Sequence, residues 1–133
     1  MKFFIAYRYT GEDKKELAKF MKTFCDLVQS NGHSSYCTFF EDEKKFHNKS
    51  KKEIINHAFD EIDKSDITLV IIRSEEKSEG MLIEVGYTLA KRKKLILCIN
   101  EKVRNTYLRD LADEVIEYKD AKDLADKITE IKL

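Results

Sequence analysis

The segment 78–87 (SEGMLIEVGY) combines residue types that a catalytic or binding site needs. Ser78 and Gly80 lie where a helix should begin, and the free N–H groups of a helix N-terminus bind anions. Glu84 follows about one turn later, at the edge of the apolar stripe that a helical wheel gives this segment. The stripe comprises Met81, Leu82, Val85 and Leu89. A carboxylate at its edge would be partly desolvated, as catalytic groups often are.

Ordinary explanations exist for the same residues. Gly86 lies inside the predicted helix, where glycine costs about 1 kcal/mol relative to alanine, so close packing or the approach of a substrate would account for it. Alternatively, Glu84 is a surface acid and Gly86 a packing accident. Neither GxGxxG nor GxxxxGK[ST] occurs, which argues against ordinary dinucleotide binding and P-loop phosphoryl transfer.

Strands and helices alternate along the whole chain. Apolar runs predict strands at Lys2–Tyr7, Ser34–Phe40, Ile67–Ile72, Leu95–Ile99 and Glu114–Tyr118. Four helices are predicted. The first is capped by Thr10 and ends at Asn31-Gly32, and the second begins with the Ser50/Glu53 capping box. The third runs from about Met81 to Arg92, and the last carries Leu124, Ala125, Ile128 and Ile131. This order predicts a single α/β domain, residues 1–133.

Because the strands are apolar on both faces, we expect a five-stranded parallel sheet between two layers of helices, a flavodoxin- or Rossmann-like fold. Right-handed crossovers favour the strand order 2-1-3-4-5. In such sheets ligands bind beyond the carboxyl ends of the strands, at the switch point between strands 1 and 3. The segments 7–13 and 73–84 should meet there, so the predicted crevice includes the helix that carries Glu84.

Composition excludes several classes of function. The 25 basic and 25 acidic residues cancel, which argues against a nucleic-acid polymer as partner. No apolar run approaches the ~20 residues of a membrane span, so we expect no membrane association. The cysteines (Cys25, Cys37 and Cys98) and the histidines are scattered, without a CxxC pair. We therefore expect no disulfide framework, no metal and no cofactor, and a cytoplasmic location.

The pattern Ser78-x-Gly80-x-x-x-Glu84-x-Gly86, after a strand and before Lys94-Leu-Ile-Leu, is similar to the signature of the nucleoside 2-deoxyribosyltransferase superfamily. Within it, the chain resembles the 2'-deoxynucleoside 5'-monophosphate N-glycosidases, whose first βα turn carries Arg followed closely by Glu-Asp. Here these residues are Arg8 and Glu12-Asp13. The order of elements agrees over most of the chain.

The resemblance implies cleavage of the N-glycosidic bond of a (deoxy)nucleoside or its 5'-monophosphate. It implies that Glu84 attacks C1' and forms a covalent glycosyl intermediate, with the sugar passed to water or to another base. It also implies that Ser78, Gly80 and Arg8 bind the 5'-phosphate. An aspartate of the preceding helix, Asp60 or else Asp63, should assist departure of the base.

The chain departs from the family in two places. The loop Arg73–Lys77 is slightly longer, and Ala6 stands where some members have a serine. Both departures bear on phosphate specificity more than on the chemistry.

Three aromatic residues are further candidates. Tyr7 could bind Glu84 or the sugar, or simply lie at the rim of the crevice. Phe39 and Phe40 could stack on a base, or pack in the core or in a dimer.

The resemblance also implies a homodimer, since family members are dimers or larger. Ile55 and Ile83 are apolar beyond what one stripe needs, so the interface should include the helices 50–63 and 81–92. Alternatively, both residues pack under loops of their own chain.

Two other functions stay open. FIAYRYTGED resembles the first strand and turn of TIR domains, some of which cleave NAD through a helix glutamate. The tryptophan usual beside that glutamate and the proline usual after strand 2 are absent here. The other alternative is a non-catalytic nucleotide-binding or interaction module, which would keep Ser78 and Gly80 but lack an acid partner for Glu84.

Overall fold

The apolar runs of the sequence form strands, and the amphipathic segments between them form helices. The computed structural model describes residues 1–37 and 48–130. In chain order its elements are β1 (Lys2–Tyr7), α1 (Lys14–Ser30), β2 (Ser34–Tyr36), α2 (Lys51–Asp63), β3 (Ile67–Ile72), α3 (Glu79–Ala90), β4 (Lys94–Asn100), α4 (Leu108–Leu111), β5 (Glu114–Tyr118) and α5 (Ala121–Ile128).

The five strands form one parallel sheet in the order β2-β1-β3-β4-β5, which confirms the predicted topology. Tyr7 pairs with Ile71 near the carboxyl ends of the two central strands. Arg8 is the first residue after β1, and Arg73 is the first residue after β3. Both residues therefore lie at the same edge of the sheet. This edge is the switch point at which the sequence predicted a crevice.

Alternating strand residues supply two apolar cores, one on each face of the sheet. One core packs β1, β3 and β4 against α1 and α5, through residues such as Ile5, Leu69, Met21 and Leu124. The other packs the same strands against α2, α3 and α4, through residues such as Phe4, Val70, Ile62 and Val85. The predicted three-layer architecture is therefore confirmed.

The start of α1 differs from the prediction. Its N-cap is Asp13, whose carboxylate accepts hydrogen bonds from the backbone N–H groups of Lys15 and Glu16. Thr10 lies in the preceding turn instead. Gly11 makes that turn with a φ of 82°, a left-handed conformation that suits glycine. The predicted end of the helix at Asn31-Gly32 is confirmed.

Other boundaries agree closely with the sequence prediction. The capping box of Ser50 and Glu53 is present at the start of α2. Helix α3 begins two residues earlier than predicted, because Ser78 is its N-cap. The one-turn helix α4 has too few residues for a periodic pattern and was not predicted.

Some predictions concern residues that lie outside the described ranges. In the described part of the chain β2 ends at Tyr36, and Phe39, Phe40 and Ile131 are not described. None of the described helices has the length and apolar character needed to cross a bilayer.

Candidate active site

Helix α3 faces the sheet with Met81, Val85 and Thr88, all buried. The predicted stripe was therefore partly wrong: Leu82 is 40% exposed, and Thr88 occupies the buried side. Thr88 can be buried because its hydroxyl group lies 2.9 Å from the hydroxyl group of Thr68 on β3. It also lies 2.9 Å from the carbonyl oxygen of Glu84.

The side chain of Glu84 faces the groove between α3 and α2. Residues of a helix are spaced by about 100°, so Glu84 lies between the sheet-facing side and Tyr87. Tyr87 contacts α2: its ring stacks on Phe59 with centroids 4.0 Å apart, and its hydroxyl group donates to Asp63 at 2.9 Å. Glu84 is thus held at the edge of the core.

Burial raises the pKa of Glu84 to about 8. Within the described part of the chain, no charged or hydrogen-bonding side chain offsets this effect. A carboxyl group that is desolvated without a partner is costly to the fold. Such groups are concentrated at functional sites.

The turn after β1 brings three charged residues together. Nη1 of Arg8 donates to Glu12 at 3.1 Å, and Nη1 of Arg73 donates to the other carboxylate oxygen of Glu12 at 3.4 Å. The guanidinium group of Arg8 also lies against Gly11: Nη2 is 2.6 Å from the position that a Cβ at residue 11 would take. A side chain there would displace Arg8.

The start of α3 lies beside these arginines. The Ser78 hydroxyl oxygen accepts from the N–H of Met81 at 3.3 Å, which leaves its own O–H free to donate. Gly80 is half-buried in the first turn. Arg8, Arg73 and Met81 line one shallow cleft. The structure therefore places Arg8 and the first turn of α3 at the same cleft.

The three other predicted catalytic residues lie on two sides of the sheet. Tyr7 is buried in the core on the α1 side, whereas Glu84 belongs to a helix on the opposite face. Asp60 is exposed on α2, one helical turn before Asp63, which accepts the hydrogen bond from Tyr87 of α3. Neither aspartate is among the causes of the raised pKa of Glu84.

Sequence reasoning missed Arg73 as a site residue and quoted Glu12 only as part of a motif. Arg73 belongs to a segment that reads as an ordinary polar loop. A signal was nevertheless present, because Arg73 is the first residue after β3 and Arg8 is the first after β1. Side chains that follow adjacent parallel strands meet at one edge of the sheet.

Packing within the described chain does not explain Gly86. A Cβ built at this residue meets no atom within 4 Å, and the residue is exposed. The close approach of a substrate and a packing accident are the explanations that stay open.

An unpaired carboxyl group beside the switch point of a parallel α/β sheet is an arrangement typical of enzymes of this architecture. The profile of the nucleoside 2-deoxyribosyltransferase family matches residues 6–123. The chain belongs to this family of enzymes, whose activities are nucleoside glycosyl transfer or cleavage. This assignment favours the first resemblance over the TIR-like one.

Solved structures with the same fold agree with the assignment. The CMP N-glycosidase BcmB from Clostridium botulinum has 20% identity and a TM-score of 0.75, with 98% of each chain covered. The 2-deoxyribosyltransferase from Bacillus psychrosaccharolyticus has 18% identity and a TM-score of 0.72, over 95% of this chain and 91% of that one. A conserved protein from Enterococcus faecalis V583 has 14% identity and a TM-score of 0.72, with 98% of each chain covered. No curated protein sequence matches the chain.

Proposed function

We propose that this protein cleaves the N-glycosidic bond of a (deoxy)nucleoside or its 5'-monophosphate, with Glu84 as the nucleophile. The observation that carries the proposal is the carboxyl group of Glu84: burial raises its pKa to about 8, and no charged or hydrogen-bonding side chain of the described residues offsets that rise. Helix geometry places Glu84 on the side of α3 toward Tyr87, which contacts α2. Its place in the pattern Ser78-x-Gly80-x-x-x-Glu84 agrees with the family assignment.

In the proposed first step, an oxygen of ionised Glu84 forms a bond to C1' of the sugar. The bond between C1' and the base nitrogen breaks, and its electron pair leaves with the base, which takes up a proton. In the second step, water or the nitrogen of another base attacks C1' and releases Glu84. The positive charge that develops on the sugar ring favours the ionised carboxylate.

A 5'-phosphate is the group that the start of α3 and Arg8 would bind. Ser78 can donate its hydroxyl hydrogen, and the first N–H groups of the helix point toward the same region. Arg8 would add a charge-assisted hydrogen bond. The similarity to a CMP N-glycosidase supports a 5'-monophosphate as the substrate class.

The proton donor to the base is the aspartate that the family resemblance assigns, Asp60, which lies on α2 one turn before Asp63. The competing function is a nucleotide-binding module that keeps the phosphate site without catalysis. The two functions differ in a simple way, since only the enzyme releases free base.

We also propose that the protein is a cytoplasmic homodimer that includes α2 and α3 in its interface. Ile83 is 44% exposed, and the neighbouring surface at Gly86 has room for a close approach. Ile55 is half-buried. The odd number and the scattered positions of the cysteines in the sequence support a reducing compartment. Light scattering at micromolar concentration tests the dimer, and an active species of 15.7 kDa would contradict it.

The catalytic proposal is tested by incubating the wild type and Glu84→Ala with deoxynucleosides, ribonucleosides and their 5'-monophosphates. Chromatography should detect free base with the wild type only. Brief incubation followed by acid quenching and mass spectrometry should find a glycosyl adduct on the peptide that contains Glu84. Base release that survives in Glu84→Ala would show that the nucleophile is another group.

A further inference from the structure

Arg73 and Arg8 are held by a single carboxylate. The two oxygens of Glu12 accept hydrogen bonds from the two guanidinium groups, at 3.1 Å from Arg8 and 3.4 Å from Arg73. The side chains of all three residues are less than 26% exposed, so solvent screens these contacts only partly. Because two cations share one anion, the cluster keeps a net positive charge at the switch point.

Each guanidinium group is also held by a second contact. The guanidinium carbon of Arg73 lies 5.1 Å from the centre of the Phe20 ring, which is a cation–π distance. Arg8 lies against the backbone of Gly11. Both side chains are therefore ordered before any ligand arrives, which lowers the entropy lost on binding.

The two guanidinium groups have donors to spare. Arginine carries five N–H donors, and the bonds to Glu12 use only one from each residue. Both residues line the cleft that also contains Ser74 and Met81, and Met81 follows Gly80 in the first turn of α3. An anion in this cleft would thus meet two planar cations and the start of a helix, beside the carboxylates of Glu12 and Glu76, which also line the cleft.

We propose that Arg73 is a second specificity-determining cation of the site, which together with Arg8 binds the 5'-phosphate of a nucleoside monophosphate. Glu12 is the positioning residue that sets the spacing of the two guanidinium groups. The identity of the ligand as a nucleotide rests on the proposed function. The binding of its phosphate does not depend on turnover.

The competing explanation is that Arg73 only ties the loop after β3 to the turn after β1. That structural role predicts equal effects on every ligand. A phosphate-binding role predicts an effect on monophosphates alone. Comparing each monophosphate with its own nucleoside separates the two explanations.

Calorimetric binding provides the test, with the four deoxynucleoside 5'-monophosphates, CMP and the matching nucleosides as probes. Glu84→Gln serves as the background, so that no substrate is consumed. Arg73→Ala should weaken monophosphate binding by about 10- to 100-fold, the range expected for a charged hydrogen bond, and leave nucleoside binding unchanged. Arg73→Lys should retain part of the affinity, since it keeps the charge but not the planar fork.

Arg104→Ala is the matched control. Arg104 is exposed in the loop after β4, and the contact that the loop makes with Glu75 uses its backbone N–H, which the substitution keeps. It removes one positive charge and should leave all affinities unchanged. The proposal is overturned if no monophosphate binds more tightly than its nucleoside, or if Arg73→Ala and Arg73→Lys both keep the full preference. A wild type that binds in this manner but releases no base would contradict the proposed function alone.

Discussion

Two helices on the same face of the sheet each carry a glutamate, buried in the case of Glu61 on α2 and half-buried in the case of Glu84 on α3. The two carboxyl groups have opposite surroundings. At the amino end of the sheet, Glu61 forms a 3.0 Å ion pair with Lys2, and Lys64 lies 3.6 Å away. Burial alone would raise the pKa of Glu61, but these lysines and His57 outweigh it and lower the pKa. Nothing similar surrounds Glu84 in the described part of the chain, and its pKa rises to about 8.

The two glutamates differ in whether the fold supplies positive charges that offset the cost of their burial. The fold neutralises one carboxylate with charges from β1 and α2, as it would any acid that has to be buried. It leaves the other uncompensated beside the crevice, at a cost in stability. A bound sugar on which positive charge develops during the reaction would supply the missing partner of Glu84.

The largest expected effect comes from exchanging each glutamate for glutamine. Glu84→Gln should lower kcat for base release by at least about a thousandfold, because it removes the nucleophile. Glu61→Gln should change kcat less than twofold, since Glu61 lies at the other end of the sheet. Steady-state kinetics on the best monophosphate, with circular dichroism as the check of folding, makes the comparison. Similar losses of kcat in both variants would contradict the different roles expected for Glu84 and Glu61.

The dependence of kcat/KM on pH should reflect the free enzyme, in which Glu84 is mostly protonated below pH 8. The nucleophile must be ionised, so kcat/KM should rise about tenfold for each pH unit below 8 and level off above it. Rates measured from pH 5.5 to 9.5 on the wild type provide the test. A profile that is flat or falls across this range would contradict an uncompensated carboxyl group.

The two glutamates should also affect stability with opposite signs of pH dependence. The folded-state pKa of Glu84 is raised, so its favourable contribution is complete below about pH 4.5 and is lost as the pH rises through 8. The folded-state pKa of Glu61 is lowered, so its contribution is present above its ordinary value of 4.5 and is lost as the pH falls through its folded-state pKa.

Urea denaturation of both glutamine variants measures these contributions. At pH 9 we expect Glu84→Gln to be more stable than the wild type by on the order of 2 kcal/mol, and at pH 5 nearly equal to it. At pH 7 Glu61→Gln should be less stable than the wild type by about 1–2 kcal/mol, because it leaves Lys2 without its partner. A wild type that is at least as stable as Glu84→Gln at pH 9 would indicate that Glu84 has a partner after all.

The smallest expected effect concerns Gly11, which lies at the carboxyl end. Gly11→Ala should cost about 1 kcal/mol of unfolding free energy, because alanine is strained at positive φ. The new Cβ would also displace the guanidinium group of Arg8, so KM for a monophosphate should rise several-fold while KM for the nucleoside stays constant. Gly32→Ala is the control, since Gly32 has a φ of 83° with no atom near its Cβ position. If both variants alter KM equally, the turn does not position Arg8.

The sequence was sufficient for the fold because its signals were local and repeated. The run Ile67–Ile72 (ITLVII) could only be a buried strand, and the alternation of such runs with helices determined the sheet order. The start of α1 was less certain, since Thr10 and Asp13 are both good N-caps. The left-handed conformation of Gly11 decides between them, and no local pattern reveals it.

The sequence names candidate site residues within one segment, and it misses the contacts that join two segments. Ser78 and Glu84 follow from a single helix and its family pattern. The contact of Arg73 with Glu12 joins residues 61 positions apart, so no local spacing predicts it. The prediction also placed Leu82, and not Thr88, on the buried side of α3. Thr88 is buried because it bonds to Thr68, which belongs to another element and leaves no local signal.

The bond between the hydroxyl groups of Thr88 and Thr68 has a consequence for motion in the protein. It joins the last turn of α3 to β3 inside the core, and the same threonine contacts the backbone of Glu84. Sliding the helix along its axis would break a buried polar contact, which costs about 1–3 kcal/mol. We therefore expect α3 to stay in place when a substrate enters.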